Sequence, residues 1–224
     1  MPESCRVVIF ARTPEPGRVK TRLIPALGAR GACLLHQRMV IQIAEQARAA
    51  FPGGRIELWV TPDPDHPFLR ALTRRLDLEL HRQAPRPGHP DDLGERMAAA
   101  LNAGPWPAMV VGSDAPQLDA DRLRQLEEHL QYPDCEAAIV PATDGGYVAL
   151  AARQPVNLFE KIAWGTSEVL EQTLESARRQ GIRVRLTSPL PDIDRPDDLS
   201  HCPSALLRGL TIQEPWSGRR APYL

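Results

Sequence analysis

The residues best suited to chemistry form a cationic stretch and three groups of acids, all placed after apolar runs. After the run Arg6 to Phe10, residues 11–23 read ARTPEPGRVKTRL. The cations of this stretch all fall at even positions: Arg12, Arg18, Lys20 and Arg22. In an extended backbone the last three would project to one side of the chain, where they could face a row of phosphate oxygens.

The shape of this basic stretch also suits anion binding. Pro14 and Pro16 disfavour helix, and Gly17 permits a tight bend or a close approach of the backbone to a ligand. A solvated surface loop is the alternative, since such loops commonly carry arginine and proline. Its position favours a site, because ligands of open α/β sheets bind beyond the carboxyl ends of strands.

Two acidic groups lie where metal ligands are expected. Asp114 directly follows a buried run, and beyond a strand end its carboxylate is free to hold a metal; a turn before Pro116 is the alternative interpretation. Asp192 and Asp194 share a side if that segment is extended, whereas residues 197–198 have the pattern of a first helical turn. Asp114 and Asp194 would supply the hard oxygens that Mg²⁺ or Mn²⁺ prefers.

A third acid, Asp144, stands in the sequence TDGGY just before another apolar run. Its carboxylate could bind an acceptor hydroxyl or remove its proton. A plain Asp-Gly hairpin joining two strands explains the same residues equally well.

Short β-rich runs alternate with longer helical patterns, which indicates an α/β architecture. The predicted strands are Arg6 to Phe10, Ile56 to Val60, Leu78 to Arg82, Met109 to Gly112, Ala137 to Pro141, Tyr147 to Ala151 and Arg183 to Leu186. The predicted helices are Leu27 to Ala50, Phe68 to Leu76, Leu93 to Ala103, Asp119 to Leu130 and Ser167 to Gln180.

Bulk composition excludes several classes of protein. A net charge of −1 with 25% charged residues gives no reason to expect a nucleic acid or an anionic membrane as partner. Without a stretch of about 18 apolar residues or a leader pattern, we expect a cytoplasmic protein. The four cysteines are scattered and do not indicate a zinc site.

Five ordered motifs resemble the GT-A nucleotide-diphospho-sugar transferase superfamily, and within it a bacterial family labelled arsenosugar-biosynthesis-type glycosyltransferases. They are FARTPEPGRVKTRL (10–23), DLGERM (92–97), GSDAP (112–116), DGGY (144–147) and DIDRPDDL (192–199). The resemblance covers nearly all of residues 6–200, and the late DIDRP motif is also similar to nucleotidylyltransferases. GSDAP holds one of the two aspartates of the Asp-x-Asp motif usual in GT-A glycosyltransferases.

The resemblance implies a three-layer α/β/α sandwich with a mixed, mainly parallel sheet over residues 1–200, followed by a tail over 201–224. It implies phosphate binding by Arg12, Gly17, Lys20 and Arg22. It implies contacts to the base or ribose from Leu93, Gly94 and Arg96, and to the substrate from Asp144, Gly145, Gly146 and Tyr147. With Mg²⁺ or Mn²⁺ on Asp114 and Asp194, the catalytic residues would be Lys20, Asp114 and Asp144.

The leading hypothesis is transfer of a sugar from a nucleotide diphosphate to a small acceptor. The alternative is nucleotidylyl transfer, in which an acceptor phosphate attacks a nucleoside triphosphate and pyrophosphate leaves. A third hypothesis is a nucleotide-binding module without turnover. The tail, with Trp216, Arg219 and Arg220, could wrap the domain or contact a second copy in a homo-oligomer.

Overall fold

The computed structural model describes residues 5–89 and 91–212, and their chain folds into a seven-stranded sheet covered by helices on both faces. The strands are β1 (Arg6–Arg12), β2 (Ile56–Thr61), β3 (Glu79–Arg82), β4 (Ala108–Gly112), β5 (Ala137–Pro141), β6 (Tyr147–Ala152) and β7 (Val184–Leu186). Each coincides closely with a strand that the sequence predicts.

The first five helices follow the predicted pattern, and a sixth short helix lies where a tail was expected. They are α1 (Ile24–Ala50), α2 (Pro67–Leu76), α3 (Leu93–Asn102), α4 (Ala120–His129), α5 (Val169–Gln180) and α6 (Ser204–Leu207), with 3₁₀ turns at Thr21–Leu23 and Pro196–His201. Asp92 and Asp119 cap α3 and α4 by accepting a backbone N–H three residues on, as Asx N-caps do. Gly28 interrupts α1 with a φ of 67°, so the regular helix begins close to the predicted start.

The strand order is β3-β2-β1-β4-β6-β5-β7, in which β6 runs antiparallel to both neighbours and the other pairs are parallel. The predicted mixed, mainly parallel sheet is therefore confirmed. The chain leaves β1 toward β2 and β3, and then returns to place β4 on the other side of β1. The strand order thus reverses between β1 and β4, which is where open α/β sheets form a crevice at the carboxyl ends of their strands.

Alternation along β1 shows how the three layers form. Val7 and Ile9 pack with α1, α2 and α4, whereas Val8 and Phe10 pack with α3 and α5 on the opposite face. Both faces of β1 are buried, as expected for a central parallel strand. The α/β/α sandwich is therefore confirmed.

A third apolar cluster ties the late part of the chain to the early part. It contains Leu23 after the basic stretch, Met39 of α1, Ile193, and Leu206 of α6. Packing through Leu23 and Ile193 brings the basic stretch and the segment 192–194 to the same place. The tail residues Trp216, Arg219 and Arg220 lie outside the described residues, and the boundary near residue 200 stays a prediction.

None of the helices within residues 5–89 and 91–212 is long and apolar enough to cross a membrane.

Candidate functional site

A cleft of about 1030 Å³ opens at the carboxyl ends of β1 and β4, at the reversal of strand order. It collects most of the site residues that the sequence predicts: Arg12, Lys20, Arg22, Leu93, Arg96, Asp114, Asp144, Gly146, Tyr147 and Asp194. Three predicted glycines, Gly17, Gly94 and Gly145, are not among its lining residues. The volume lies at the upper end of the range for small-molecule sites.

The basic stretch departs from the predicted extended conformation. Gly17 has a φ of 83° and Lys20 a φ of 47°, both left-handed, and a 3₁₀ turn follows directly. These turns direct Lys20 inward, so its side chain is only 4% exposed. Arg18 remains 76% exposed and pairs with Glu15 at 3.2 Å. The expectation of a row of cations on one side of an extended chain is therefore wrong, because the left-handed residues curl the segment.

Lys20 is held by three oxygens. Its Nζ donates to the carbonyl oxygen of Ile193 at 2.6 Å and lies 3.0 Å from Asp114 Oδ1 and 3.9 Å from Asp194 Oδ1. Arg22 Nη1 lies 2.5 Å from Asp194 Oδ2 and is largely exposed. Two of the predicted phosphate-binding cations, Lys20 and Arg22, thus contact the predicted metal-binding acids.

Asp114 forms the floor of the cleft just beyond β4. Its side chain is half exposed. Burial alone would raise the pKa of Asp114, but the charges of Lys20 and His36, with hydrogen bonds from Lys20 and Ser113, lower it. Asp114 is therefore a carboxylate at neutral pH.

The segment that carries Asp194 is fixed by its backbone. Ile193 N donates to the carbonyl oxygen of Asp114 at 2.8 Å, which seats residues 192–194 beside β4. Asp198 accepts from the backbone N–H groups of Asp194 at 3.0 Å and Arg195 at 2.6 Å. Asp198 therefore holds the turn, which agrees with the first-turn role that the sequence indicates for it.

The donor set around Lys20 fits a divalent cation. Asp114 Oδ1, Asp194 Oδ1 and the Ile193 carbonyl oxygen surround one positive charge, and hard oxygens of this kind suit Mg²⁺ or Mn²⁺. They come from two separate segments rather than from one Asp-x-Asp motif.

Another group of potential ligands, Glu57, Glu79 and His81, lies within 4.8 Å in the described part of the chain. Two arginines already neutralise Glu57, because Arg6 and Arg55 each approach it to 2.9 Å. We assign no metal to this group.

Asp144 lies in the loop of the β5–β6 hairpin and faces the cleft. Its Oδ1 accepts from Gly146 N at 3.0 Å, and Gly145 takes a φ of 96°. A Cβ on Gly145 would lie 2.1 Å from the carbonyl oxygen of Ser167, so no other residue fits there. The hairpin interpretation is therefore correct, and it is compatible with the functional one.

Asp192, to which the sequence assigned no role, also lines the cleft. Burial, followed by the charge of Asp144, raises the pKa of Asp192 to about 6. Within residues 5–89 and 91–212, no Lys, Arg or His nitrogen lies within 4.0 Å of the carboxylates of Asp144 or Asp192. This part of the cleft therefore carries negative charge without a paired cation.

The start of α3 reaches the cleft through Leu93 and Arg96, and Arg96 is anchored to Asp91 at 2.6 Å. Gly94 packs instead on the aromatic ring of Trp164: an added Cβ would lie 2.7 Å from the Phe159 carbonyl oxygen and 2.8 Å from that ring. The glycine is required by this packing.

Three further lining residues escaped the sequence analysis: His36, Gln83 and Trp164. His36 Nε2 lies 2.9 Å from the carbonyl oxygen of Arg12, and Gln83 Nε2 donates to Ala11 and Trp59 carbonyl oxygens at 3.0 and 2.8 Å. Burial lowers the pKa of His36, with the nearby charges of Lys20 and Arg12 adding to the effect. No motif marks His36 and Gln83, because their partners are backbone carbonyl groups of strands distant in sequence.

Trp164 contacts both α3 and the start of β6. It packs on Gly94 of α3, and its ring meets Tyr147 edge-on with centroids 6.3 Å apart. Burial raises the pKa of the Tyr147 hydroxyl. Tyr147 thus contributes an apolar face to the cleft rather than an ionised oxygen.

Solved structures similar to this chain are transferases that use nucleotides. A Desulfovibrio desulfuricans G20 protein described as a "putative nucleotide-diphospho-sugar transferase" is 29% identical with a TM-score of 0.76, over 93% of this chain and 91% of that one.

Two other solved structures share the fold at low identity. The 4-diphosphocytidyl-2C-methyl-D-erythritol synthase of Anaerococcus prevotii has a TM-score of 0.59 at 10% identity, over 92% and 99% of the two chains. Glucosyl-3-phosphoglycerate synthase of Mycobacterium tuberculosis, in complex with Mn²⁺ and UDP, has a TM-score of 0.53 at 9% identity, over 88% and 75%.

No curated protein matches the sequence. A bacterial family profile matches residues 43–166, a segment that includes Asp114, Asp144 and Trp164. The chain therefore belongs to the family described as "Uncharacterized protein conserved in bacteria (DUF2064)".

Proposed function

We propose that this protein is a metal-dependent glycosyltransferase that moves a sugar from a nucleotide diphosphate to the hydroxyl of a small acceptor. The observation that carries the proposal is that one cleft is lined both by cations and by carboxylates without a cationic partner. Lys20, Arg22 and Arg12 form the cationic part, and Asp144 and Asp192 form the acidic part. The similarity to the Desulfovibrio protein supports a nucleotide-sugar donor.

The cationic part is suited to the donor. Lys20 and Arg22 would bind the diphosphate, and each hydrogen bond to a charged phosphate oxygen contributes about 1.5–3 kcal/mol. Asp114 and Asp194 would hold Mg²⁺ or Mn²⁺, which supplies positive charge that stabilises the leaving diphosphate. The base would lie toward Leu93 and Arg96 at the start of α3.

The acidic part is suited to a neutral acceptor. In the transfer, the acceptor oxygen bonds to the anomeric carbon as the carbon–oxygen bond to the diphosphate breaks, and that electron pair leaves with the phosphate. Asp144 would accept the hydroxyl proton. Two adjacent carboxylates would repel a phosphorylated acceptor, which disfavours nucleotidylyl transfer.

Nucleotidylyl transfer remains the second candidate, because the acids come from two segments instead of one Asp-x-Asp motif. Lys20 and Arg22 would then offset charge developing on a triphosphate. Release of pyrophosphate from a nucleoside triphosphate and phosphorylated acceptors would identify this reaction.

Calorimetry with a panel of nucleotide sugars and Mn²⁺ tests the donor. We expect the nucleotide sugars of one particular base to bind with a Kd near the micromolar range. The absence of binding across the panel would contradict the proposal.

The role of Asp144 as the group that accepts the hydroxyl proton is tested with Asp144→Asn. We expect this variant to lower the transfer rate ~10²-fold or more while donor binding persists. Asp121→Asn, at an exposed position outside this cleft, serves as the matched control. Full transfer activity in Asp144→Asn would remove Asp144 from the mechanism.

A further inference from the structure

The cation position among the cleft acids is already filled by a side chain of the protein itself. Lys20 Nζ contacts the Ile193 carbonyl oxygen and Asp114 Oδ1, and lies close to Asp194 Oδ1. These are the oxygens assigned above to the metal. An ammonium group and a divalent ion cannot both lie there, because their positive charges would repel at this distance.

We propose that Lys20 is an internal counter-cation that Mg²⁺ or Mn²⁺ must displace, and that the diphosphate of the donor receives the displaced ammonium. This inference rests on the proposed function and adds how metal and nucleotide binding are coupled. Metal binding alone breaks the contacts of Lys20 and leaves its charge in the cleft. With the diphosphate present, Lys20 exchanges carboxylates for phosphate oxygens, so the two ligands favour each other's binding.

The backbone makes such an exchange feasible. Lys20 adopts a left-handed conformation, which is unfavourable for a residue with a Cβ, and its side chain reaches the acids from a turn rather than from a strand or helix. Its carboxylate partners are open to the cleft, at 50% exposure for Asp114 and 34% for Asp194. A long, flexible side chain can leave these groups without disturbing the sheet beneath.

The inference makes an unusual prediction: removing a cation that contacts the site should tighten metal binding. In Lys20→Met, Mn²⁺ should bind at least tenfold more tightly than in the unaltered protein, which corresponds to about 1.4 kcal/mol. Binding is measured with Mn²⁺ alone, by electron paramagnetic resonance of the free ion and by calorimetry. Arg18→Met is the matched control, because Arg18 is exposed and pairs with Glu15, and its Mn²⁺ affinity should be unchanged.

Thermal unfolding gives a second measurement of Mn²⁺ binding, which can be used even if Lys20→Met is less stable than the unaltered protein. Without Lys20, Asp114 and Asp194 lose a shared cation, so the variant should melt earlier in chelator and regain its melting temperature in Mn²⁺. The unaltered protein should gain less from Mn²⁺ than the variant does.

The outcomes separate this inference from the proposed function. Unchanged or weaker Mn²⁺ binding in Lys20→Met, or no binding in any variant, would overturn the counter-cation role. Asp114→Asn should lose Mn²⁺ binding in both backgrounds. If it binds Mn²⁺ normally, the metal lies elsewhere, and both the assigned metal site and the inference are rejected. Tight Mn²⁺ binding in Lys20→Met that Asp114→Asn abolishes would support the inference even if no nucleotide sugar bound.

Discussion

The two ends of the sheet each hold a buried cation among carboxylate and carbonyl oxygens, but only one of them faces an opening. At the amino end of β1, Arg6 pairs with Glu57 at 2.9 Å, and both side chains are 1% exposed. The Arg6 guanidinium also donates to the carbonyl oxygens of Ala100, Leu101 and Pro105. At the carboxyl end, the Lys20 side chain is only 4% exposed, yet its partners Asp114 and Asp194 line the cleft.

This difference separates a structural ion pair from an exchangeable one. The planar arginine fork is satisfied by fixed groups of the protein, so losing it would leave buried carbonyl oxygens without a donor and Glu57 without its buried cation. The lysine is a point charge whose partners can take another cation from solvent. Burial of a cation therefore does not by itself identify a site; the exposure of its partners does.

The comparison is tested most severely by Arg6→Met. We expect a loss of about 3–5 kcal/mol in the free energy of unfolding, because Glu57 loses its buried cationic partner and the carbonyl oxygens of residues 100, 101 and 105 lose their donor, although Arg55 still contacts Glu57. Denaturant unfolding measures the change. Arg55→Met is the control, since Arg55 contacts the same carboxylate but is 41% exposed and should cost much less. Equal losses would mean that Arg6 has no special structural role.

Asp114→Asn tests the carboxyl end of the sheet, where the partners of Lys20 line the cleft. We expect kcat/KM to fall ~10²–10³-fold, because the proposed metal site loses a ligand and with it the positive charge that would stabilise the leaving diphosphate, while the melting temperature changes little. Steady-state kinetics and thermal unfolding check the two parts. Asp134→Asn, on the surface beside Arg185, should leave activity intact. If Asp114→Asn lowers the melting temperature but leaves the specific activity of the folded protein unchanged, Asp114 is a structural residue like Arg6.

Gly94→Ala tests the packing of α3 against Trp164, which lines the cleft. Its Cβ would press on the Phe159 backbone and the Trp164 ring, so we expect a loss of about 1–3 kcal/mol in stability and a shift in tryptophan fluorescence. Gly112→Ala is the matched control, because the nearest atom to its added Cβ is an ordinary 3.7 Å away. No difference between the two variants would contradict the packing role of Gly94.

The smallest effect is expected from Arg18→Met. Its ion pair with Glu15 is exposed, so stability should change by less than about 0.5 kcal/mol. Nucleotide affinity should fall less than in Lys20→Met, since the Arg18 side chain is exposed and paired with Glu15. Calorimetry with the nucleotide that binds best checks this ranking, which a larger effect at Arg18 would reverse.

Much of this architecture follows from local patterns. Alternation of short apolar runs with amphipathic helices predicts all seven strands of the sheet, because strand and helix periods are local properties. The position of Asp114 after β4 and of Asp144 in the β5–β6 loop also follows from where each run ends. The predicted extended conformation of the basic stretch was wrong, because the residue type of Lys20 does not indicate a left-handed backbone.

What the sequence determined by itself was the class of fold and the set of charged residues at the strand ends. Only the tertiary structure decided which of them meet. Lys20 reaches the Ile193 carbonyl oxygen across 173 positions of chain, and Asp192 comes beside Asp144 through the turn that follows β7. Such pairings depend on sheet order and on the packing of Leu23 and Ile193, which bring together side chains that no local spacing relates.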